Sequence, residues 1–286
     1  KTLGRSILTS SQFARYVPVI AALGGSVIIE CPSDQVRLIA TVPEAERAII
    51  ENTPLPAIDV SASVLDLPML LGTTLDTVPN QVPYLTPPEL HNVHLPAPPG
   101  TRLKVGIVWH TESALLNEQT KSCPLRHFVG LMDIPGVAFY SLQNGAAVAE
   151  LKEHATEALI TDVGARLHDL ADSATAIAQL DLVITIDAEE AHIAGALAKP
   201  VWTILPFASD WRWMTERLDS PWYPTMRLFR QPGFGDWNSV FNEIRPALEA
   251  LCPPEMSPAA TPDESAPDAP DESAPDAPIN PDSDPS

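Results

Sequence analysis

The stretch LDLVITIDAEEAHIAGALAKPVWTIL, from Leu180 to Leu205, decides the fold of this chain. Its first part, Leu182 to Ile186, is a short apolar run with β-branched residues, which is typical of a buried parallel strand. After Asp187 the sequence is rich in alanine, and its pattern predicts a helix from Glu189 to Ala198 that a Lys-Pro pair ends. Val201 to Leu205 is a second buried strand. This order of elements predicts a βαβ unit with a right-handed crossover.

The end of the first strand is the place to look for a ligand site. In an open α/β sheet, ligands bind at the carboxyl ends of the strands, where helix N-termini point. We therefore expect Asp187, Ala188 and His192 to lie at such a place. Glu189 and Glu190 occupy the first helical turn, where an anionic ligand would dock. A carboxylate there either stabilises the helix N-terminus or competes with that ligand.

The same alternation of strands and helices extends over most of the chain and predicts the α/β class with a parallel sheet. A proline-rich linker at 83–102 divides the chain into a first α/β domain at residues 1–82 and a second at 103–252. The predicted strands are Val27–Glu30, Lys104–Trp109, Val137–Leu142, Leu182–Ile186 and Val201–Leu205. The predicted helices are Ser11–Leu23, Gln35–Ile39, Pro43–Ile50, Pro124–Met132, Ala146–His154, Leu167–Leu180, Glu189–Ala198 and a closing helix at Asp236–Leu251.

Residues 253–286 form an acidic, proline-rich tail that we expect to be disordered. The octapeptide PDESAPDA occurs twice in tandem, at 262–269 and at 270–277, and the tail contains no Lys or Arg. Its carboxylates repel one another and its prolines lack backbone donors, so it cannot bury enough apolar surface to order itself. It is either a solubilising spacer or a segment that binds a protein partner.

Composition excludes several classes of function. The chain of 286 residues has a formal net charge of −20, so no nucleic-acid-binding surface is indicated. No apolar run reaches the length of a transmembrane segment, and no signal peptide is visible. Cys31, Cys123 and Cys252 are widely spaced and suggest neither a disulfide framework nor a metal site, which favours a reducing cytoplasm. We expect no metal and no cofactor.

Several blocks of sequence, in order, carry a resemblance to a known family. They include KVGIVW at 104–109, KSCPLRHF at 121–128, SLQNG at 141–145 and the stretch quoted above, followed by LPFASDWRWM and DSPWYPTMRLFRQ. QFARYVPVIAALGGSVIIE and LPMLLGTTLDTVPNQVPYL extend the match into the first half. The chain resembles the glycosyltransferase domain of bacterial tetratricopeptide-repeat glycosyltransferases, which are related to the lipopolysaccharide heptosyltransferases. No repeat units are visible in this sequence.

The resemblance implies a GT-B fold, in which two Rossmann-like domains bind a nucleotide sugar in the cleft between them. It also implies transfer of a glycosyl group from that nucleotide sugar without a metal ion. A protein partner is implied at the acidic tail or at a repeat region upstream of Lys1. The residues that would contact the nucleotide sugar are His110, Thr111, Lys121, Gln143, Asp187, Ala188, Glu189 and His192.

The chain departs from the family pattern at the expected catalytic base and at the start of the helix after Asp187. The family has a glycine-rich loop ending in Gly-Asp before the QFARY block, and its Asp is the expected base. Here no Asp or Glu occurs between Lys1 and Glu30, so a base would have to lie elsewhere in the cleft, and Glu112 is the first candidate. Glu189 stands where relatives have a small or polar residue. Two hypotheses follow: an impaired glycosyltransferase with a relocated base, or a catalytically silent relative that serves as a binding or scaffold subunit.

Overall fold

A six-stranded parallel sheet forms the centre of the second half of the chain. The computed structural model describes residues 9–89, 93–111 and 120–253. The strands of this sheet are β3 (Leu103–Val108), β4 (Val137–Ser141), β5 (Ile160–Asp162), β6 (Leu182–Ile186), β7 (Val201–Leu205) and β8 (Met226–Arg230). Their order in the sheet is β5-β4-β3-β6-β7-β8, and every neighbouring pair is parallel. This is the strand order of a Rossmann-type doubly wound sheet.

Helices connect these strands, as the alternation in the sequence predicts. They are α5 (Arg126–Val129), α6 (Ala149–Glu153), α7 (Leu170–Ala178) and α8 (Glu189–Ala196), and α9 (Trp237–Leu251) closes the chain. All residues of β6 and β7 are buried, as expected for strands covered on both faces. On α9 the buried residues recur at helical spacing, and the helix packs against α5 and β8.

The first half contains a single pair of parallel strands in its described part. The elements are α1 (Thr9–Phe13), a 3₁₀ turn (Ala14–Tyr16), α2 (Val17–Ala22), β1 (Val27–Cys31), α3 (Val36–Ile39), β2 (Ala45–Ile50), a second 3₁₀ turn (Val64–Asp66) and α4 (Leu67–Leu70). β1 and β2 pair in parallel through α3, which is one βαβ unit. The division into two Rossmann-like domains stays a prediction.

Three elements differ from the sequence prediction. The helix expected at Pro43–Ile50 is wrong, because Ala45–Ile50 is strand β2, paired with β1. Ala and Glu are good helix formers, but helix propensity is a small energetic term, and pairing with a neighbouring strand overrides it here. Strands β5 and β8 were not predicted. Both lie at the edges of the sheet; β5 has three residues, and charged residues interrupt the apolar pattern of β8.

The proline-rich segment lies on the second half as an ordered strap, which we define as residues 83–89 and 93–102. The backbone N–H groups of Tyr84 and Leu85 both donate to the carbonyl oxygen of Ala196, at 3.0 and 3.4 Å. Further along, the Leu95 N–H donates to Gln179 Oε1 at 3.2 Å, and Gln179 Nε2 donates to the Val93 carbonyl at 2.9 Å. These bonds fix the strap against α7 and α8. The predicted tail from residue 254 onward lies outside the described residues.

No helix in the described part of the chain combines the length and the apolar character needed to cross a membrane. The three cysteines are free thiols, and all three are buried.

Candidate functional site

The predicted site residues follow the carboxyl ends of β3, β4 and β6. Strands β3 and β6 are neighbours in the sheet, and the direction of chain progression reverses between them. The space outside their carboxyl ends, which we call the switch-point crevice, is where ligands of such sheets bind. His110 and Thr111 follow β3, Gln143 follows β4, and Asp187 leads from β6 into α8. The fold therefore brings these residues to one edge of one sheet.

Gln143 organises the loop after β3. Its Oε1 accepts hydrogen bonds from the backbone N–H groups of Trp109 (3.1 Å) and His110 (2.9 Å). Its Nε2 donates to the carbonyl oxygens of His110 (3.0 Å) and Asn144 (3.0 Å). The buried amide is thus used by the protein itself. Thr111 is fixed in turn by its N–H, which donates to Ser122 Oγ at 3.1 Å. Gln143 positions the loop in which the sequence placed two ligand contacts.

Lys121 and Asp187 form a buried ion pair. Lys121 Nζ lies 2.9 Å from Asp187 Oδ2, and both side chains are almost fully buried. Burial raises the pKa of the Asp187 carboxyl above its usual range, while Lys121 and the Trp213 indole act in the opposite direction. The cation that the sequence assigns to a phosphate contact therefore already compensates a carboxylate. Removing either partner would leave a buried charge without compensation.

Glu189 is buried at the first turn of α8. The hydroxyl of Ser11, from α1, donates a hydrogen bond to Glu189 Oε1, and Oε2 has no hydrogen-bond partner among the described residues. Burial raises the pKa of the Glu189 carboxyl to about 8, helped by Glu190 and Asp34 and opposed by Ser11 and Arg212. The group therefore holds its proton at neutral pH, so the charge repulsion that the sequence suggests is weaker than expected. Ser11 holds the Glu189 side chain at the first turn of α8.

The rest of the α8 N-terminus lacks a side-chain cap. Ala188 has the extended backbone of an N-cap residue, and its methyl group cannot accept a hydrogen bond. Burial raises the pKa of the Glu190 carboxyl, and a hydrogen bond from the Glu190 backbone N–H lowers it. Burial is the larger of the two effects, so the pKa of Glu190 lies above its ordinary value.

His192 packs against the aromatic rings of Trp213 and Tyr223. It is fully buried, its Nδ1 lies 2.9 Å from the Tyr223 hydroxyl, and its ring stacks on Trp213 with centroids 5.3 Å apart. Its Nε2 has no hydrogen-bond partner among the described residues. Burial, together with the positive charges of Arg212, Arg15 and Lys121, holds the pKa of His192 well below its usual value. His192 is therefore a neutral imidazole.

Four polar residues that the sequence did not single out connect α1 to this site: Ser11, Gln12, Arg15 and Arg212. Arg212 Nε donates to Gln12 Oε1 at 2.7 Å, and Arg212 also pairs with Asp210 at 2.9 Å. Arg15 Nε donates to the Gln12 carbonyl at 2.7 Å. Gln12 and Arg15 lie off the apolar stripe of the helix predicted at 11–23, so no local pattern in the sequence marked them. Buried polar groups need partners, and here the partners come from distant parts of the chain.

The residues divide into two groups along the carboxyl edge. Asp187, Ala188, Glu189 and His192 come together at the start of α8 with Lys121, whereas His110, Thr111 and Gln143 lie at the ends of β3 and β4. That all of them contact a nucleotide sugar stays a prediction. Glu112, the candidate base, lies outside the described residues. Among the residues that the structure describes, no cluster of His, Cys, Asp or Glu could hold a metal ion.

Comparisons with known proteins give the nearest points of reference. No protein-family model matches the chain. A curated relative, Protein FlbA of Caulobacter vibrioides, is 30% identical over 200 residues, which is 66% of this chain and 33% of that protein. The chain thus spans about a third of the length of this relative.

Solved structures give a second comparison. The structure of the E. coli ADP-heptose lipopolysaccharide heptosyltransferase II is similar with a TM-score of 0.52 and 16% identity, covering 87% of this chain and 96% of that one. A family 9 glycosyl transferase from Veillonella parvula DSM 2008 gives a TM-score of 0.43 with 16% identity, over 87% of this chain and 80% of that one. The chain therefore has an α/β fold with a parallel sheet that resembles the fold of the E. coli heptosyltransferase.

Proposed function

We propose that this chain is a glycosyltransferase-like protein of the heptosyltransferase type, with a nucleotide sugar as its ligand at the switch-point crevice. The observation that carries the proposal is the position of the Lys121–Asp187 pair and of His192, which meet at the N-terminus of α8 beside the strand reversal. Helix N-termini at such reversals bind phosphate groups. The buried His192 Nε2, which lacks a partner among the described residues, is a further group that a ligand would satisfy.

We further propose that glycosyl transfer is impaired or lost. Glu189 occupies the first turn of α8, and Ser11 holds it there. In addition, the sequence contains no carboxylate before Glu30 that could act as the base. These observations favour a silent binding or scaffold subunit over an active enzyme. In either case the partner would be a protein that contacts the acidic tail or a repeat region of a longer protein.

The location that fits these properties is the cytoplasm. A nucleotide-sugar ligand is made inside cells, and three buried free thiols suit a reducing compartment.

Calorimetry with uridine, guanosine and adenosine diphosphates and their sugars tests this function. We expect the wild-type chain to bind the best of these ligands weakly. Glu189→Ser removes the side chain from the helix N-terminus and supplies a hydroxyl, so it should tighten binding at least tenfold, which corresponds to about 1.4 kcal/mol. The matched control is Glu153→Ser, which changes an exposed carboxylate on α6 and should leave binding unchanged.

Two outcomes would decide between the hypotheses. If neither the wild-type chain nor Glu189→Ser binds any of the ligands, the nucleotide-sugar site is wrong. If the wild-type chain binds a nucleotide sugar tightly and turns it over, the silent-relative hypothesis is wrong. Glu112 would then be the first residue to replace in a search for the base.

A further inference from the structure

Helix α1 is held over the start of α8 by a small number of specific contacts. Ser11 donates to the Glu189 carboxyl, and Gln12 accepts from Arg212, so two consecutive residues of α1 contact the edge of the sheet. α1 and α8 pack against each other along this line. These contacts join residues 178 and 200 positions apart, so they form only when the whole fold is assembled.

The Glu189 carboxyl sits where ionisation is unfavourable. Its side chain is 7% exposed, and Oε2 lacks a hydrogen-bond partner within the described part of the chain. α8 itself contributes the negative charge of Glu190, and the turn before α3 contributes that of Asp34. Strands β6 and β7, on which α8 packs, contain no ionisable side chain.

The other charged residues around Glu189 already have partners of their own. Arg212 favours the ionised form, but it also binds Asp210 and Gln12. Arg15, on the turn after α1, donates to carbonyl oxygens and to the Tyr84 hydroxyl. α7 adds Asp172, which is buried and has a carboxyl oxygen 3.6 Å from the Arg37 guanidinium, and Asp187 is paired with Lys121. An ionised Glu189 would therefore be a poorly compensated buried anion.

From this arrangement we infer that Ser11 and Glu189 form a proton-dependent latch, which keeps α1 over the switch-point crevice while Glu189 is protonated and releases it when Glu189 ionises. The carboxylate gains hydration only by moving to solvent, and that movement breaks its bond to Ser11. The inference rests on the proposed function only in treating the crevice as a ligand site.

The sign of the pH effect follows from linkage. In the closed state the pKa of Glu189 is about 8, whereas in an open, solvated state it returns towards its ordinary value of 4.5. The latch is therefore fully favourable below pH 4.5 and weakens as the pH rises towards 8. Over that interval the equilibrium constant for opening rises about tenfold per pH unit, and above it the constant levels off.

Amide hydrogen exchange of the whole chain, without nucleotide, measures this directly. After correction for intrinsic exchange rates, protection of residues 10–16 should fall about tenfold per unit between pH 6 and 8. In Glu189→Gln the slope should disappear, because an amide accepts the Ser11 hydrogen bond but does not ionise. Glu153→Gln, the matched exposed carboxylate, should keep the wild-type slope.

Two internal references keep the result decisive. Peptides from α9, which packs elsewhere, should show no such slope in any variant. Ser11→Ala should lower protection of residues 10–16 at pH 6 without altering overall folding. A flat wild-type profile, an unchanged slope in Glu189→Gln, or unchanged protection in Ser11→Ala would each overturn the latch. Because no nucleotide is present, these outcomes are independent of whether the crevice binds one.

Discussion

At the scale of single residues, burial decides what each group at the site can do. Asp187 and Glu189 are both carboxyl groups, and they lie two positions apart. Lys121 compensates Asp187 directly, whereas Glu189 has one hydroxyl donor and keeps its proton. His192 is neutral for the same reason of burial, reinforced by positive neighbours. The formal charges in the sequence suggest a strongly charged site. In the folded protein, however, Glu189 and His192 are neutral, and Asp187 is compensated by Lys121.

The neutral His192 predicts a specific acid sensitivity. The pKa of His192 in the folded state lies well below the ordinary value of 6.5. Below pH 6.5 this histidine is therefore protonated in the unfolded chain but stays neutral in the folded chain. The free energy of unfolding should therefore fall as the pH drops through 6.5, by up to about 1.4 kcal/mol per unit from this residue. Urea denaturation between pH 7.5 and 5.5 measures it.

Comparison with two variants isolates the contribution of this residue. His192→Gln keeps a polar side chain and should lose that part of the pH dependence, whereas replacement of the exposed His154 by Gln should not. Equal slopes for the wild-type chain and His192→Gln would show that the ring is protonated in the folded state.

The same scale shows why only part of the site could be predicted. Asp187 and His192 were found because they follow a buried strand that the sequence marks clearly. Ser11 and Arg15 were missed because their partners lie 178 and 207 positions away, at Glu189 and at the carbonyl of Trp222. No local pattern encodes such distances.

At the scale of elements, α8 owes its position to a close approach between its backbone and an aromatic ring. A Cβ atom on Gly195 would lie 2.4 Å from Cδ1 of Tyr223, which is far inside van der Waals contact. Tyr223 is fully buried and bonded to His192, so it has little room to move. The glycine is thus what lets α8 pack against this ring.

Gly195→Ala should therefore destabilise the protein. Because the ring must shift within a packed core, we expect a loss of about 2 kcal/mol in the free energy of unfolding. Gly130→Ala is the matched control, since a Cβ there meets no atom closer than 3.8 Å and the backbone is helical. It should be neutral or slightly stabilising. Equal urea midpoints for the two variants would contradict the packing argument.

Elements also show which sequence patterns are reliable. β6 and β7 begin and end where predicted, because continuous apolar runs flanked by polar residues have few alternatives. β2 was mistaken for a helix because Ala45, Glu46 and Arg47 suit a helix, and the pairing with β1 that decides its state is invisible in the local sequence. The outermost strands, with fewer buried positions, give the weakest signal.

At the scale of the whole molecule, Arg15 is one of the residues that join the first half to the second. Its guanidinium donates to the carbonyl oxygens of Pro79 and Trp222 and to the Tyr84 hydroxyl, and it lies 4.4 Å from the centre of the Tyr223 ring. Burial disfavours its charge, but Tyr84 and Tyr223 more than offset this, and the pKa of Arg15 is raised.

Arg15→Lys should consequently loosen the connection between the halves. A lysine ammonium cannot match the planar fork of donors or stack on the rings, so we expect a loss of about 3 kcal/mol in the free energy of unfolding. Exchange should also increase in both α1 and the strap. Arg217→Lys, in an exposed pair with Asp219, should cause no measurable change. A fully stable Arg15→Lys variant would show that other contacts hold the halves together.

The alternation of strands and helices was enough to predict the α/β class and the parallel sheet of the second half. The alternation was not enough to predict how much of the first half forms a sheet. The strands there are short, and they form only because they pair with each other, which the local sequence does not show. The E. coli heptosyltransferase has a similar fold at only 16% identity. A central parallel sheet can thus be kept while most of the sequence differs.

The strap has a consequence for how such a protein can change in evolution. The last turn of α8 relies on Tyr84 and Leu85 to satisfy the carbonyl of Ala196, a group that would otherwise lack a partner at the helix end. Any shortening of the first half that keeps residues 84 and 85 in place leaves this end of the helix satisfied. A deletion that reaches residues 84–85 cannot be tolerated in the same way, which places a fixed lower limit on the reduction of the first half.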